Sequence, residues 1–457
     1  MSRTILVRHT RLLTMDPSGT VLKDGALYAE DGRIVKVGAT EQVQRMATSP
    51  EYIVEGGGKV VLPGLVDTHV HLIEAIMRGL VPDHLRLAEW LKEGVWPLQQ
   101  AIDPDIGSAS ANLCLLEMLR SGTTSFLEAQ LHSKWGIDRI AAALAASGLR
   151  GFLSKMVIDN PQYGVAGTRH PFAEDKDASV QEFRRIHAQW NGRAEGKIRV
   201  GIGINNPRAC SDGLAEEVGR VAAETGCQVT MHLCETRADQ EGLAQRNTTP
   251  GEFVVKTGLA RRNTVFAHGV WLSPRDIELL VEVGASVAHC PSSNAKLASG
   301  VAPVVGMLKA GLNVGLGCDG GPSNDAYDLF REMKIAALLQ KVVGQDPTVF
   351  SYKDALHMAT INGARALGLE REVGTIEEGK RADFILVDLK RPHLRPSIGF
   401  DSELVYSAHG GDVSHVFVDG EPLLEDGRVQ SMDEEKVLEE VDRQANRLVE
   451  RAASQRR

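Results

Sequence analysis

The chain repeats one device five times: a short apolar run that ends in a reactive polar side chain. The runs are Val61–His71, Met231–Thr236, Val265–Gly269, Val287–Cys290 and Gly315–Gly320. In the first, His69 and His71 are two residues apart. Side chains of an extended chain alternate faces, so both histidines project to one side and can grip one metal ion. Reactive groups at the C-terminal ends of successive buried strands are the mark of a (β/α)8 barrel enzyme. The chain therefore reads as an α/β protein built on a TIM-type barrel, and as a metal-dependent hydrolase.

With 457 residues there is room for a barrel of that kind, roughly 250 residues, and a second, smaller module. Barrel strands are expected at Val61–His71, Thr123–Glu128, Gly151–Ile158, Ile198–Asn205, Val229–Glu235, Thr264–His268, Ser286–His289 and Asn313–Asp319. The segments Leu214–Thr225 and Pro274–Val283 between them carry apolar residues at helical spacing. The first sixty residues read differently, as short strands with a hairpin signal at Asp31-Gly32. The same style returns at Gly374–Val387 and Val416–Gly420. The two ends are expected to co-fold into one small β-sandwich domain, giving 1–60 and 373–457 around a barrel of 61–372, with a terminal helix at Asp433–Gln455.

Hydrophobic residues make up 43% of the chain, charged residues 24%, and the net charge is −9, a balance that argues against a nucleic-acid partner. No stretch approaches the roughly 20 apolar residues of a membrane span, and Met1–Val7 has no secretory core, so no membrane association and a cytoplasmic location are expected. The expected partner is a small-molecule substrate, in a homo-oligomer. The six cysteines form no C-x-x-C pair and are read as reduced packing residues. Cys234, Cys290 and Cys318 each adjoin a polar residue of interest, and strand alternation turns them to the opposite face.

His69, His71, His232 and Asp319 supply three imidazoles and a carboxylate from three strand ends. A catalytic zinc site normally takes three protein ligands and a water, and a carboxylate can join as a fourth. Each residue alone is an ordinary strand-end group; together they form a metal site.

The runs Leu62–His71, His232–Thr236, Ala267–Gly269, His289–Leu297 and Cys318–Asn324 resemble the amidohydrolase superfamily. Within it they are most similar to the branch of S-adenosylhomocysteine and methylthioadenosine deaminases and triazine hydrolases. The resemblance implies one divalent metal per chain, zinc first and iron second, that lowers the pKa of its water toward neutrality. It implies that Glu235 shuttles the water proton to a ring nitrogen of the substrate and that Asp319 both ligates and accepts a proton. It gives His268 a hydrogen bond to the water or to the developing oxyanion. Binuclear members bridge two ions with a carboxylated lysine on the fourth strand, and Ile198–Asn205 has none. Lys155, in the apolar third strand, has three options: a salt bridge, an anionic group of the substrate, or carboxylation.

Glu89, in Leu87–Pro97, matches the glutamate with which nucleoside deaminases read ribose, and Trp90 and Trp96 beside it either cover a planar ring or simply pack. His289 and Asn294 are further candidate substrate contacts. The chain departs from the nucleoside pattern at Asn205, where those enzymes carry a histidine, and at Lys155, where they carry an arginine; no arginine of Tyr163–Asp177 is aligned with the family's second, carboxylate-binding one. The leading expectation is a deaminase of an amino-substituted purine, pterin or triazine. The alternative is hydrolysis of a urea, amide or halogen–carbon bond in a xenobiotic such as a phenylurea or chlorotriazine. A non-catalytic scaffold is disfavoured because no ligand position has been lost.

Overall fold

The computed structural model describes residues 4–163 and 170–455. The chain opens with β1 (Thr4–Leu13), β2 (Val21–Glu30), β3 (Arg33–Ala39), β4 (Tyr52–Glu55) and β5 (Lys59–Pro63). Asp31 and Gly32 turn β2 into β3 with positive φ values of 49° and 74°, the backbone that a tight hairpin needs. After the barrel come β14 (Phe384–Asp388), β15 (Val413–Val418), β16 (Glu421–Glu425) and β17 (Arg428–Val429), numbered to leave β6 to β13 for the barrel. Strand β5 joins the two ends, pairing with β1 on one side and β14 on the other, so the small domain is one nine-stranded mixed sheet. Side chains from both halves share one core, including Val7, Leu27, Val61, Phe384 and Phe417.

The barrel strands are β6 (Leu65–Val70), β7 (Thr123–Leu131), β8 (Arg150–Val157), β9 (Ile198–Ile204), β10 (Val229–Leu233), β11 (Thr264–His268), β12 (Ser286–His289) and β13 (Asn313–Leu316). They are parallel and close in the order β10-β11-β12-β13-β6-β7-β8-β9. The apolar run Val61–His71 thus belongs to two sheets. It changes sheet at Gly64, where a Cβ would stand 2.2 Å from Thr124 Oγ1. The run of small and apolar residues legible in the sequence carries the metal pair directly out of the small sheet.

Pairing around the barrel is uneven. Strands β8 and β9 align over seven residue pairs, from Gly151↔Ile198 to Val157↔Ile204. Strands β13 and β6, where the barrel closes, share only Leu316↔Asp67, with a single further bridge at Val70↔Asp319. The buried Asp67 carboxylate reinforces this seam by accepting hydrogen bonds from the backbone N–H groups of Cys318 (3.2 Å) and His69 (3.1 Å).

A buried ion cluster fixes the barrel to the small sheet. Arg150 on β8 donates through Nη2 to Asp383 (3.1 Å) and Asp419 (2.9 Å), and its side chain is only 3% exposed. Removing one partner from a buried cluster leaves uncompensated charge, which costs about 3–5 kcal/mol. Arg150→Met is expected to lose about that much stability in denaturant unfolding; a loss below about 1 kcal/mol would show that the carboxylates are relieved by water.

Among the described residues, no helix is long and apolar enough to cross a membrane. All six cysteines are buried and free of disulfides.

Candidate metal centre and active site

The barrel mouth gathers the expected ligands. His69 ends β6, with His71 just beyond, His232 lies in β10 and Asp319 follows β13. One ligand atom from each lies within 4.8 Å of all the others. Two backbone hydrogen bonds tie the first and last of these together, Asp319 N to His69 O (2.8 Å) and His71 N to Asp319 O (3.3 Å).

The hydrogen bonds around the rings decide which nitrogens are available. His232 Nδ1 donates to Asn205 O at 2.6 Å, which leaves a lone pair on Nε2, and that Nε2 faces His71 Nε2 at 3.3 Å. Both ring nitrogens of the fully buried His69 lack a hydrogen-bond partner. Burial pushes His69 down to about 4 and His232 well below its ordinary value, so both rings are neutral and have electron pairs to give. His71 shows the opposite sign. Burial opposes its charge, yet Glu74, Asp319 and Glu128 together raise it to about 10. The same carboxylates would attract a cation held between the rings. Two facing nitrogens, an orphaned imidazole and surrounding carboxylates fit a zinc-type ion.

The expected proton-handling groups stand beside this cluster. Glu235 lies two residues past the end of β10, buried, with burial and the neighbouring Asp319 and Asp239 carboxylates pushing it up to about 7 against the pull of His268. Its Oε2 is 3.9 Å from His268 Nε2. The His268 ring is held from behind, with Nδ1 2.9 Å from Asn294 Oδ1, so Asn294 positions His268. Cys234, His268 and Asp319 all have positive φ, at 54°, 73° and 65°. Non-glycine residues in that region cost of order 1–3 kcal/mol each, and such strain clusters where a site must hold a fixed geometry.

The cleft over the cluster is lined by His71, Glu235, His268 and Asp319 and by Trp90, Trp96, Gln130 and Asn205, among others. Asn205 Nδ2 donates to Gln130 Oε1 at 2.9 Å. Four expected contacts lie outside the cleft lining, the first of them Asn294, which bonds to His268 instead. Glu89 is exposed, because Leu87, Trp90 and Leu91 turn the other face of that segment to the cleft. Lys155 points away from the cleft that its neighbour Met156 lines, and its buried ammonium is answered by Glu174 (2.7 Å) and Met156 O (2.6 Å), the salt-bridge option. His289 is buried with both ring nitrogens unpartnered, outside the cleft lining.

Other cleft residues carried no signal of their own in the sequence. Glu74 follows His71 by three positions and Gln99 bonds to it. His170 and Tyr163 come from the loop after β8, of which residues 164–169 lie outside the described residues, as does that part of the search for a second arginine. Arg208 binds through Nε to Asp239 Oδ1 (3.0 Å), and the other oxygen of Asp239 accepts from Glu235 N (3.1 Å). The acidic residue four positions after Glu235 could have been found as the N3 partner of the Thr236 capping box.

The profile of the amidohydrolase family matches residues 60–423. A 5′-deoxyadenosine deaminase of Methanosarcina mazei is 40% identical over 98% of this chain and 99% of its own length. A 5-methylthioadenosine/S-adenosylhomocysteine deaminase of Moorella thermoacetica is 38% identical over 96% of this chain and 98% of its own. Among solved structures, a zinc-bound adenosine deaminase from Xanthomonas campestris superposes with a TM-score of 0.90 at 31% identity, covering 97% of this chain and 98% of that one.

Proposed function

The chain belongs to the amidohydrolase family, and from that premise we propose that it is a mononuclear, zinc-dependent aminohydrolase that releases ammonia from an adenosine-type purine. The observation that carries the reading is Glu235, a buried carboxylate within 3.9 Å of His268 at the edge of a three-histidine, one-aspartate cluster. A proton shuttle beside the nucleophile suits an amine leaving from a ring whose nitrogen must take up a proton. The relatives' names support the purine.

His69, His71, His232 and Asp319 would hold the ion, which when bound lowers the pKa of a water toward neutrality. Glu235 takes the proton that this water loses and gives it to the ring nitrogen next to the carbon under attack, which takes up the C=N electron pair displaced as the C–O bond forms. His268, kept in place by Asn294, hydrogen-bonds the attacking oxygen. Asp319 then accepts the remaining oxygen-bound proton and passes it to the amine, which departs as ammonia. A single ion is supported by the absence of lysine from β9 and by the engagement of Lys155 with Glu174.

Ammonia release by the zinc-loaded enzyme from 5′-deoxyadenosine, adenosine, methylthioadenosine and S-adenosylhomocysteine tests the reading, and no turnover of any of the four sinks it. Lys155 is occupied by Glu174 and Asn205 by Gln130, so neither is free to take an amino-acid tail. The kcat/KM for S-adenosylhomocysteine is expected to be at least about a hundredfold below that for 5′-deoxyadenosine, roughly 2.7 kcal/mol of transition-state contacts. Equal values would mean that another cleft cation, Arg208, takes the carboxylate.

A further inference from the structure

We infer that Glu74 is a further catalytic residue, whose open carboxylate oxygen accepts an N–H of the departing amino group and stabilises the positive charge that develops there. The inference rests on the aminohydrolase reading and assigns a residue that the scheme above leaves without a task.

Apart from the shuttle Glu235 and the Arg208-bound Asp239, four buried carboxylates surround the cluster without belonging to it, and three of these accept protein donors on both oxygens. Asp67 accepts from His69 N at Oδ1 and from Cys318 N at Oδ2. Glu128 accepts from Leu72 N and Gln130 N. Glu332 accepts from Ser292 N and from Asn324 Nδ2. Glu74 differs. Only its Oε1 has a protein donor among the described residues, Gln99 Nε2 at 2.9 Å, although the residue is just 5% exposed. A carboxylate accepts and does not donate, so that bond fixes the Gln99 amide with its oxygen left over. Glu74 and Gln99 both line the cleft, and the wall they form offers acceptors alone. A buried carboxylate left with an open oxygen is costly unless a ligand supplies the donor.

The position is equally specific. Oε2 lies against Gly320, next to the ligand Asp319, at a spot where a Cβ on that glycine would come within 1.9 Å of it. Glu74 follows β6 and Glu235 follows β10, and these strands stand four places apart in either direction around the closed barrel. The two carboxylates therefore approach the reacting carbon from opposite sides. Glu235 serves the ring nitrogen, and Glu74 faces the other flank, toward which one N–H of the amino group points. When the C–N bond breaks, its electron pair stays on nitrogen and the proton from the added hydroxyl reaches it through Asp319. Glu74 gains and loses no proton; it holds the nitrogen as an ammonium-like charge builds, an interaction stronger in the transition state than in the bound substrate.

The test varies the leaving group on one ring. The zinc-loaded enzyme and its Glu74→Gln and Gln99→Leu variants are assayed with adenosine and with 6-methoxypurine riboside, whose leaving group has no N–H, and the zinc content of each is measured. Glu74→Gln is expected to lower kcat for adenosine roughly a hundredfold, and to shrink the adenosine-to-methoxy ratio at least about tenfold. Gln99→Leu, which frees the carboxylate to swing, should shrink the same ratio in the same direction. An equal loss on both substrates, or an unchanged ratio in both variants, overturns the inference and makes Glu74 structural. If no adenosine is deaminated, the purine reading falls, and the same ratio is read on the best ring amine against its methoxy analogue.

Discussion

Glu235→Gln is expected to cut turnover by about a thousandfold while zinc stays bound. The amide fills the same space and can still hydrogen-bond, but it cannot carry a proton from the water to the ring, and general acid–base catalysis of this kind is worth roughly 10²–10⁴. No ligand nitrogen is touched, since Glu235 is not among the four groups of the cluster. Steady-state ammonia release together with elemental analysis decides the matter. Retention of more than about a tenth of the activity would move the shuttle to another group, with Asp319 the first to examine.

His69→Ala should instead abolish activity and metal together. Both His69 ring nitrogens are without a hydrogen-bond partner, and the ring is fully buried. The substitution removes an ion ligand and, among polar contacts beyond it, only the 3.4 Å approach of Nε2 to Asp319 Oδ1. Zinc content is expected to fall from near one per chain to below about a tenth, with turnover falling in step. The control is stability: stripped wild type and stripped variant should melt within a few degrees of each other, as a small buried truncation allows. A variant that keeps stoichiometric zinc would show that the remaining three groups suffice.

The parts of the site that the sequence disclosed are those governed by strand alternation. His69 and His71 share a face because they are two apart, and His232 leads to Glu235 within one short turn. The same rule, applied to β8, turns Met156 into the barrel and Lys155 out of it, where Glu174 meets it. Glu89 faces solvent for a different reason. In a helical segment Leu87, Trp90 and Leu91 fall on one face, and an exposed glutamate between them is what that spacing predicts. Four cleft residues were not legible: Glu74 and Arg208 reach the cleft from short 3-10 turns, Gln99 from a short helix and His170 from a loop, and segments this short carry no periodicity that reports where a side chain ends up. The small sheet was visible as strands at both ends of the chain, but not the role of Lys59–Pro63, which a continuous apolar run hid at Gly64.

The sparse seam between β13 and β6 bears on the polymer as a whole. Its two edges lie some 250 residues apart along the chain and share one registered pair and one bridge. An ion held by His69 and Asp319 would be a cross-link that closes a ring of that size. Loop closure grows only as the logarithm of length, so this one staple would restrict the unfolded chain nearly as much as a cross-link between its ends. A metal bound there would do for the barrel what a disulfide does for a secreted domain, in a protein whose six thiols are all free.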